Sequence, residues 1–359
     1  MQRHDPFSID SHKIHQHFDR LKQWQENPQR TFPLYVEISP VGHCNHRCTF
    51  CAVDYIGYKT RALSYEVLVK RLNEMAELGV RSVMFAGEGE PLLHPKLAEV
   101  ISQTKDAGMA YAITTNGVAL TPKFCRTALK GIQWVKVSMN GGSRTYRQVH
   151  KAGLTDYDRV WHNLELANLQ RRDESLDTVL GIQAVLLPEN VQDMRELAER
   201  SLIAGLDYLV IKPYSQHQSS LTTQYKDVHY QGYEELFKTL EEYSTDKFQV
   251  IIRRKSMASW DSPARGYQKC YSTPYFWAYI MANGDVYGCS AYLLDDRFCY
   301  GNIQESAFKD IWLGEKRKES MRYVANDLCI QECRKNCRMD KVNQFLWEMK
   351  NPGPHHAFI

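Results

Sequence analysis

From residue 32 onward the chain alternates short apolar runs with longer stretches whose apolar positions recur every three to four residues. The first kind predicts strands and the second amphipathic helices. "PLYVEIS" is the first strand, and "SYEVLVKRLNEMAELG" the first helix, ended by a glycine. "RSVMFAG" and "HPKLAEVISQTKDAG" repeat the pair. "AYAITT", "WVKVSM", "LGIQAVLL" and "DYLVIKP" give four further strands, separated by helical stretches near 122–130, 157–171 and 190–204. Six such units in series predict a parallel sheet with helices outside it. In parallel α/β folds ligands bind at the carboxyl ends of the strands. Here "CNHRCTFC", "GEGEP", "TNG" and "SMNGG" follow strands one to four, so all four would face one mouth. The expected fold is therefore α/β, a partial (β/α)6 TIM-like barrel rather than a doubly wound sheet.

Beyond the sixth strand the pattern changes. Residues 214–230 lack periodicity and read as a linker or covering loop; a helix near 231–244 and a strand "FQVIIRR" follow. From residue 270 the chain is cysteine-rich, with a hairpin "WAYIMANGDVYGC" turning at Asn283-Gly284. Five segments are expected: an amino-terminal helical lead-in (1–33), the barrel (34–213), a linker and helix (214–265), a small cysteine-rich α+β extension (266–345) and a tail (346–359).

Composition narrows the function. Among 359 residues, 43% are hydrophobic, enough for a sizeable core. Lys plus Arg number 45 against 42 for Asp plus Glu, a net charge of +3 that argues against a broad electrostatic grip on nucleic acid. No apolar run reaches the roughly 18 residues of a membrane span, and the polar start lacks a signal peptide's apolar core. A cytoplasmic protein is expected, with neither membrane nor nucleic acid as partner. Its ten cysteines then need a reason, because disulfides are rare in that compartment. Cys125, in "KFCRTALKG", reads as a buried helix residue. The other nine cluster, which points to metal.

Cys44, Cys48 and Cys51 can converge on one centre but cannot complete a four-ligand shell, and an open position is what a site for chemistry needs. Zinc, with His43 or His46 as fourth ligand, is one option. An iron–sulfur cluster with one iron left open is the other. The spacing favours the cluster, since zinc sites usually pair two close ligand couples and no second couple lies nearby.

Cys44-x3-Cys48-x2-Cys51, with Phe50 just before the last cysteine, is similar to the signature of the radical S-adenosylmethionine enzymes. "GEGEP" (Gly87, Glu88, Gly89, Glu90, Pro91) resembles that family's motif after strand two, and Ser138 and Asn140 sit where its strand four meets the ribose. The likeness covers about residues 34–213. It implies that the thiolates hold a [4Fe–4S] cluster whose fourth iron chelates S-adenosyl-L-methionine. One electron, from a flavodoxin or ferredoxin-type donor, would then yield a 5′-deoxyadenosyl radical. Gly87 and Gly89 would let the backbone approach the cofactor's amino group. Asn116, Ser138 and Gln183 would bond ribose hydroxyls, and Val210 and Ile211 would border the adenine.

Cys270, Gly284 and Cys289 resemble the opening of the auxiliary-cluster extension called SPASM, or its shorter twitch form. Six carboxy-terminal cysteines, rather than seven or more, imply one auxiliary [4Fe–4S] cluster on Cys270, Cys289, Cys333 and Cys337, with zinc as the alternative. Cys299 and Cys329 are left over, either as candidate hydrogen-atom donors or as buried residues or extra cluster ligands. Related enzymes with one auxiliary cluster oxidise or epimerise sugars and aminocyclitols, while others mature peptides. The short polar lead-in is unlike a leader-binding domain, so dehydrogenation or epimerisation of a carbohydrate-like small molecule is expected. Peptide or protein maturation and a non-catalytic metal scaffold are the alternatives. Lys212, near the end of strand six, either points into the barrel to meet an anionic or hydroxyl group or lies on the rim; Tyr55, His150 and Tyr214 are further candidate substrate contacts.

Overall fold

The computed structural model describes residues 7, 9–261 and 265–358. Most of the first eight residues of the lead-in and residues 262–264 of the linker lie outside them. Strands β1 (Tyr35–Ile38), β2 (Ser82–Phe85), β3 (Ala110–Thr115), β4 (Ile132–Ser138), β5 (Val179–Val185) and β6 (Tyr208–Lys212) run parallel and adjacent in chain order. β7 (Gln249–Ile252) continues the sheet beyond β6. On the other side β8 (Trp277–Ile280) lies parallel to β1, and β9 (Asp285–Tyr287) and β10 (Cys299–Asn302) follow antiparallel. One ten-stranded sheet, open at β7 and β10, thus runs through the segments expected as barrel, linker and extension. The pairing of β8 with β1 was not legible in the sequence.

Successive strand residues face opposite sides. Val36, Ile38, Val83, Phe85, Ile113, Val135, Val137, Ile182 and Ile211 pack beneath the helices Tyr65–Glu77, Leu97–Thr104, Asp156–Asp173 and Met194–Ile203 in the main core. On the inner face, Met84, Ala86 and Ala112 form one small cluster with Tyr35 and Trp134, and Tyr208, Val210 and Ile251 another. The same alternation puts Glu37, Lys136, Ser138, Gln183 and Lys212 on that inner face, so the lumen is lined by polar groups above small apolar patches. The lead-in helix Phe18–Glu26 packs its Trp24 against Phe276 of the extension, ring centroids 5.6 Å apart. Among the described residues no helix is long and apolar enough to cross a membrane.

Candidate active site

After β1 the chain enters the loop that carries Cys44, Cys48 and Cys51, none of them in a disulfide. Its backbone is held by a helix the hydrophobic pattern did not predict, Ser143–His150. Arg47 N donates to His150 O at 3.1 Å and Thr49 N to Val149 O at 2.8 Å. Carbonyls at a helix carboxyl end lack partners inside the helix, so the loop completes them. Cys48 Sγ lies 3.4 Å from His150 Nδ1. Phe50 stands edge-on to the same ring, at 5.4 Å, and so packs the loop. His46, Cys48 and His150 bring ligand atoms within 4.8 Å of one another. His46 Nε2 is 3.0 Å from Asp156 Oδ2 and His150 Nε2 is 3.0 Å from Asn140 Nδ2, so one nitrogen of each ring is engaged, while His46 Nδ1 is buried without a hydrogen-bond partner among the described residues. Burial pushes the Cys44 thiol up to about 11 and the Cys48 thiol well above its usual range, the latter helped by Cys51 and Cys44 beside it. Thiols so placed become thiolates by binding metal, and three on one loop fit a cluster with an open iron.

"GEGEP" serves this loop. A Cβ on Gly89 would sit 2.4 Å from the carbonyl oxygens of His43 and Val41; one on Gly87, at φ +117°, would sit 2.5 Å from Tyr279 Oη. The close approach expected for the cofactor is therefore made to the chain itself. Glu88 accepts from Arg61 Nη2 (2.6 Å) and Ala282 N (2.7 Å), joining the loop to the end of β8. Glu90 accepts from Thr115 Oγ1 (2.6 Å), Asn116 N (2.7 Å) and Leu92 N (3.0 Å), and burial raises its carboxyl. Pro91 opens the single turn Pro91–Leu93 that Glu90 caps. Asn116 Nδ2 reaches Asn45 Oδ1 at 2.7 Å, and Asn140 Oδ1 accepts from Val185 N at 2.6 Å. Glu88, Glu90, Asn116 and Asn140, expected at the cofactor, are thus engaged in bracing the site.

Three other expected contacts do come together. Ser138 pairs with Gln183, and Gln183 with Val210, in register across β4, β5 and β6 on the inner face. Ile211 is a correction: its side chain faces the helices, fully buried in the main core, because neighbours on a strand alternate. Lys212 follows Val210 on the inner face. Burial first, then the charges of Arg253, Lys136, Arg338 and Arg334, push its amine down to about 7. Opposite, on β8, Tyr279 Oη and Trp277 Nε1 are buried without hydrogen-bond partners among the described residues. Buried polar atoms are normally satisfied, so a polar ligand in the lumen fits these two.

Cys270, Cys289, Cys333 and Cys337 line a single cavity with Trp277, Tyr292, Arg334 and Arg338. Burial pushes Cys337 up to about 12, and Cys289 well above its usual range with the other three thiols among its neighbours. Four converging thiols fit a closed four-thiolate shell. Cys329 is exposed and Cys299 lies on β10; neither lines that cavity.

The aperiodic segment after β6 is a strap between the two cysteine groups. Asp54 accepts from Ser220 Oγ (3.0 Å), Leu221 N (2.9 Å) and Thr222 N (3.0 Å). At the strap's start, Ser215 Oγ accepts from Arg334 Nε at 2.8 Å and Tyr214 O from Asn336 Nδ2 at 3.1 Å. Tyr55 stacks on His217 with centroids 4.6 Å apart, and His217 Nε2 is 3.2 Å from Ser290 O, next to Cys289. Tyr55 and Tyr214 are thus parts of this bridge.

The same two regions match family models: the radical SAM superfamily over residues 38–201 and the iron–sulfur cluster-binding domain SPASM over 270–338. The chain is a radical S-adenosylmethionine enzyme with a SPASM domain at its carboxy-terminal side. These two domains imply [4Fe–4S] clusters and S-adenosylmethionine as cofactors. It is 23% identical over 322 residues, 84% of this chain and 85% of the other, to the tungsten-containing aldehyde ferredoxin oxidoreductase cofactor-modifying protein of Pyrococcus furiosus. It is 26% identical to PqqA peptide cyclase of Bradyrhizobium diazoefficiens over 196 residues, 52% of this chain and 48% of that one. Its fold is similar to SuiB of Streptococcus suis bound to S-adenosylmethionine, with a TM-score of 0.64 at 18% identity over 90% of this chain and 76% of that one.

Proposed function

We propose that the enzyme dehydrogenates a hydroxyl-bearing, carbohydrate-like small molecule held in the lumen. One observation carries the reading: the four-thiol cavity and the lumen share a wall. Trp277 lines the cavity and pairs with Tyr35 of β1. Arg338 lines it too, and bonds Glu37 and, at 2.9 Å, Tyr35 Oη on the inner face. When bound, the three-thiolate cluster with S-adenosylmethionine supplies hydrogen-atom abstraction, and the four-thiolate cluster supplies a one-electron acceptor. An alcohol becoming a carbonyl must lose a C–H hydrogen atom, its hydroxyl proton and one electron. Lys212, its amine pushed down to about 7 by burial, would take the proton. Ser138, Gln183 and Val210 hold the cofactor's nucleoside beside it. Epimerisation needs no electron acceptor and so gives the four-thiol cavity beside the lumen no part.

An acidic flavodoxin or ferredoxin-type electron donor belongs to the proposal. Arg47, Arg144, Arg147 and Lys151 are exposed around the three-cysteine loop, and none is in an ion pair among the described residues. Exposed cations beside a redox centre steer a partner of opposite charge. Buried thiols reserved for iron also suit a reducing cytoplasm. The second reading, peptide maturation, draws on the fold: SuiB, solved with its precursor peptide SuiA, is similar over 86% of this chain.

The test is anaerobic turnover of panels of polyhydroxylated small molecules and of peptides, read by mass spectrometry. A small-molecule product lighter by two hydrogens supports the proposal. Modification of peptides alone, with no small molecule changed, replaces it with the second reading.

A further inference from the structure

His150, anticipated as a substrate contact, is fully buried beneath the three-cysteine loop instead. Its ring is confined by Tyr146, 4.2 Å away, by Phe50 and by His46. The hydrogen bonds around it fix where its proton sits. Asn140 Oδ1 accepts from Val185 N at 2.6 Å, which orients the amide. The Asn140 NH2 group therefore faces His150 Nε2, 3.0 Å away, and donates to it. An imidazole nitrogen that accepts carries no proton, so the ring's proton is on Nδ1. Nδ1 points at Cys48 Sγ, 3.4 Å away.

We infer that His150 is a positioning residue for the radical-generating cluster: its Nδ1–H donates to Cys48 Sγ, fixes that thiolate's rotamer, and raises the reduction potential of the cluster it ligates. Hydrogen bonds to cluster sulfurs withdraw electron density and make reduction easier, and outer partners of this kind orient ligands. Asn140 acts one step further out, by holding the tautomer. The inference concerns the cluster alone and holds whatever the substrate is.

The experiment uses the reconstituted holoenzyme, with the cluster signal identified by its response to S-adenosylmethionine. A redox titration followed by electron paramagnetic resonance compares wild type with His150→Leu and His150→Asn. The Leu side chain cannot donate, whereas the Asn amide can occupy the Nδ1 position. A negative shift of the midpoint potential in His150→Leu, largely restored in His150→Asn, is expected. Equal potentials in all three, or equal shifts in both variants, overturn the inference. Because a leucine there could impair cluster loading, wild type is also studied with histidine carrying 15N in the ring. Pulsed paramagnetic resonance of the reduced cluster should then show a weak 15N coupling that His150→Asn abolishes. Its absence from wild type contradicts the N–H···S bond directly.

Discussion

The three-cysteine loop and the four-cysteine cavity are built on opposite plans. In the first, three thiols lie within eight consecutive residues, and the surrounding chain is spent on holding that loop from outside: the end of helix Ser143–His150, the "GEGEP" turn and Asp54's strap. In the second, four thiols come from positions as far apart as 270 and 337 and close on one another. The loop leaves a ligand position open and therefore needs scaffolding, because its metal cannot supply full rigidity. The cavity offers four thiols, enough for a closed shell, and such a shell would hold distant segments together by itself. The open site suits cofactor binding and the closed one electron transfer.

Alanine at Cys44, Cys48 and Cys51 together should give the largest effect: loss of about four irons per chain and of all 5′-deoxyadenosine release. Alanine at Cys270, Cys289, Cys333 and Cys337 should remove a similar amount of iron and abolish oxidised product, yet leave 5′-deoxyadenosine release. Loss of both activities in the second variant would break the division of labour.

The scaffolding claim is sharpened at Gly89. With two backbone carbonyls 2.4 Å from a new Cβ, Gly89→Ala should cost at least about 1–3 kcal/mol and lower iron in the loop while sparing the cavity. Asp54→Ala frees the strap by removing three hydrogen bonds to one carboxylate, at about 2–3 kcal/mol. Hydrogen exchange should then quicken across residues 215–225 with little change in iron content.

Lys212 gives the pH dependence. A base must be unprotonated, so product formation should rise as pH increases through about 7 and level off above it. In Lys212→Arg, which stays charged, that rise should vanish while uncoupled 5′-deoxyadenosine release persists. The smallest effect is expected for Cys299→Ser and Cys329→Ser, which should leave iron content and product within error of wild type.

Local pattern made much of this readable beforehand. Strands β1 to β9 follow apolar runs, the three cysteines follow from spacing, and resemblance put the four auxiliary ligands in the set that the fold brings together. Long-range pairing was not readable. Nothing near residue 277 shows that β8 will lie beside β1, so the wall shared through Trp277 and Arg338 could not be foreseen. Helix Ser143–His150 was hidden because "SRTYRQVH" has few apolar residues to mark its period. Glu88 and Glu90 were expected at the cofactor, and the partners that hold them instead, from Arg61, Thr115, Asn116 and Ala282, are remote in sequence. Ile211 was misassigned by a single position on its strand, which is enough to turn a side chain from the lumen to the core.

The contrast between an open and a closed cluster is tested most directly by paramagnetic resonance of the reduced, anaerobically reconstituted protein with and without S-adenosylmethionine. The account predicts about eight irons per chain and two [4Fe–4S] signals. Adding the cofactor should change the signal lost in the Cys44/Cys48/Cys51 variant and leave the other unmoved. About four irons with zinc in the cavity, or a cofactor response from the signal that survives in that variant, would contradict it.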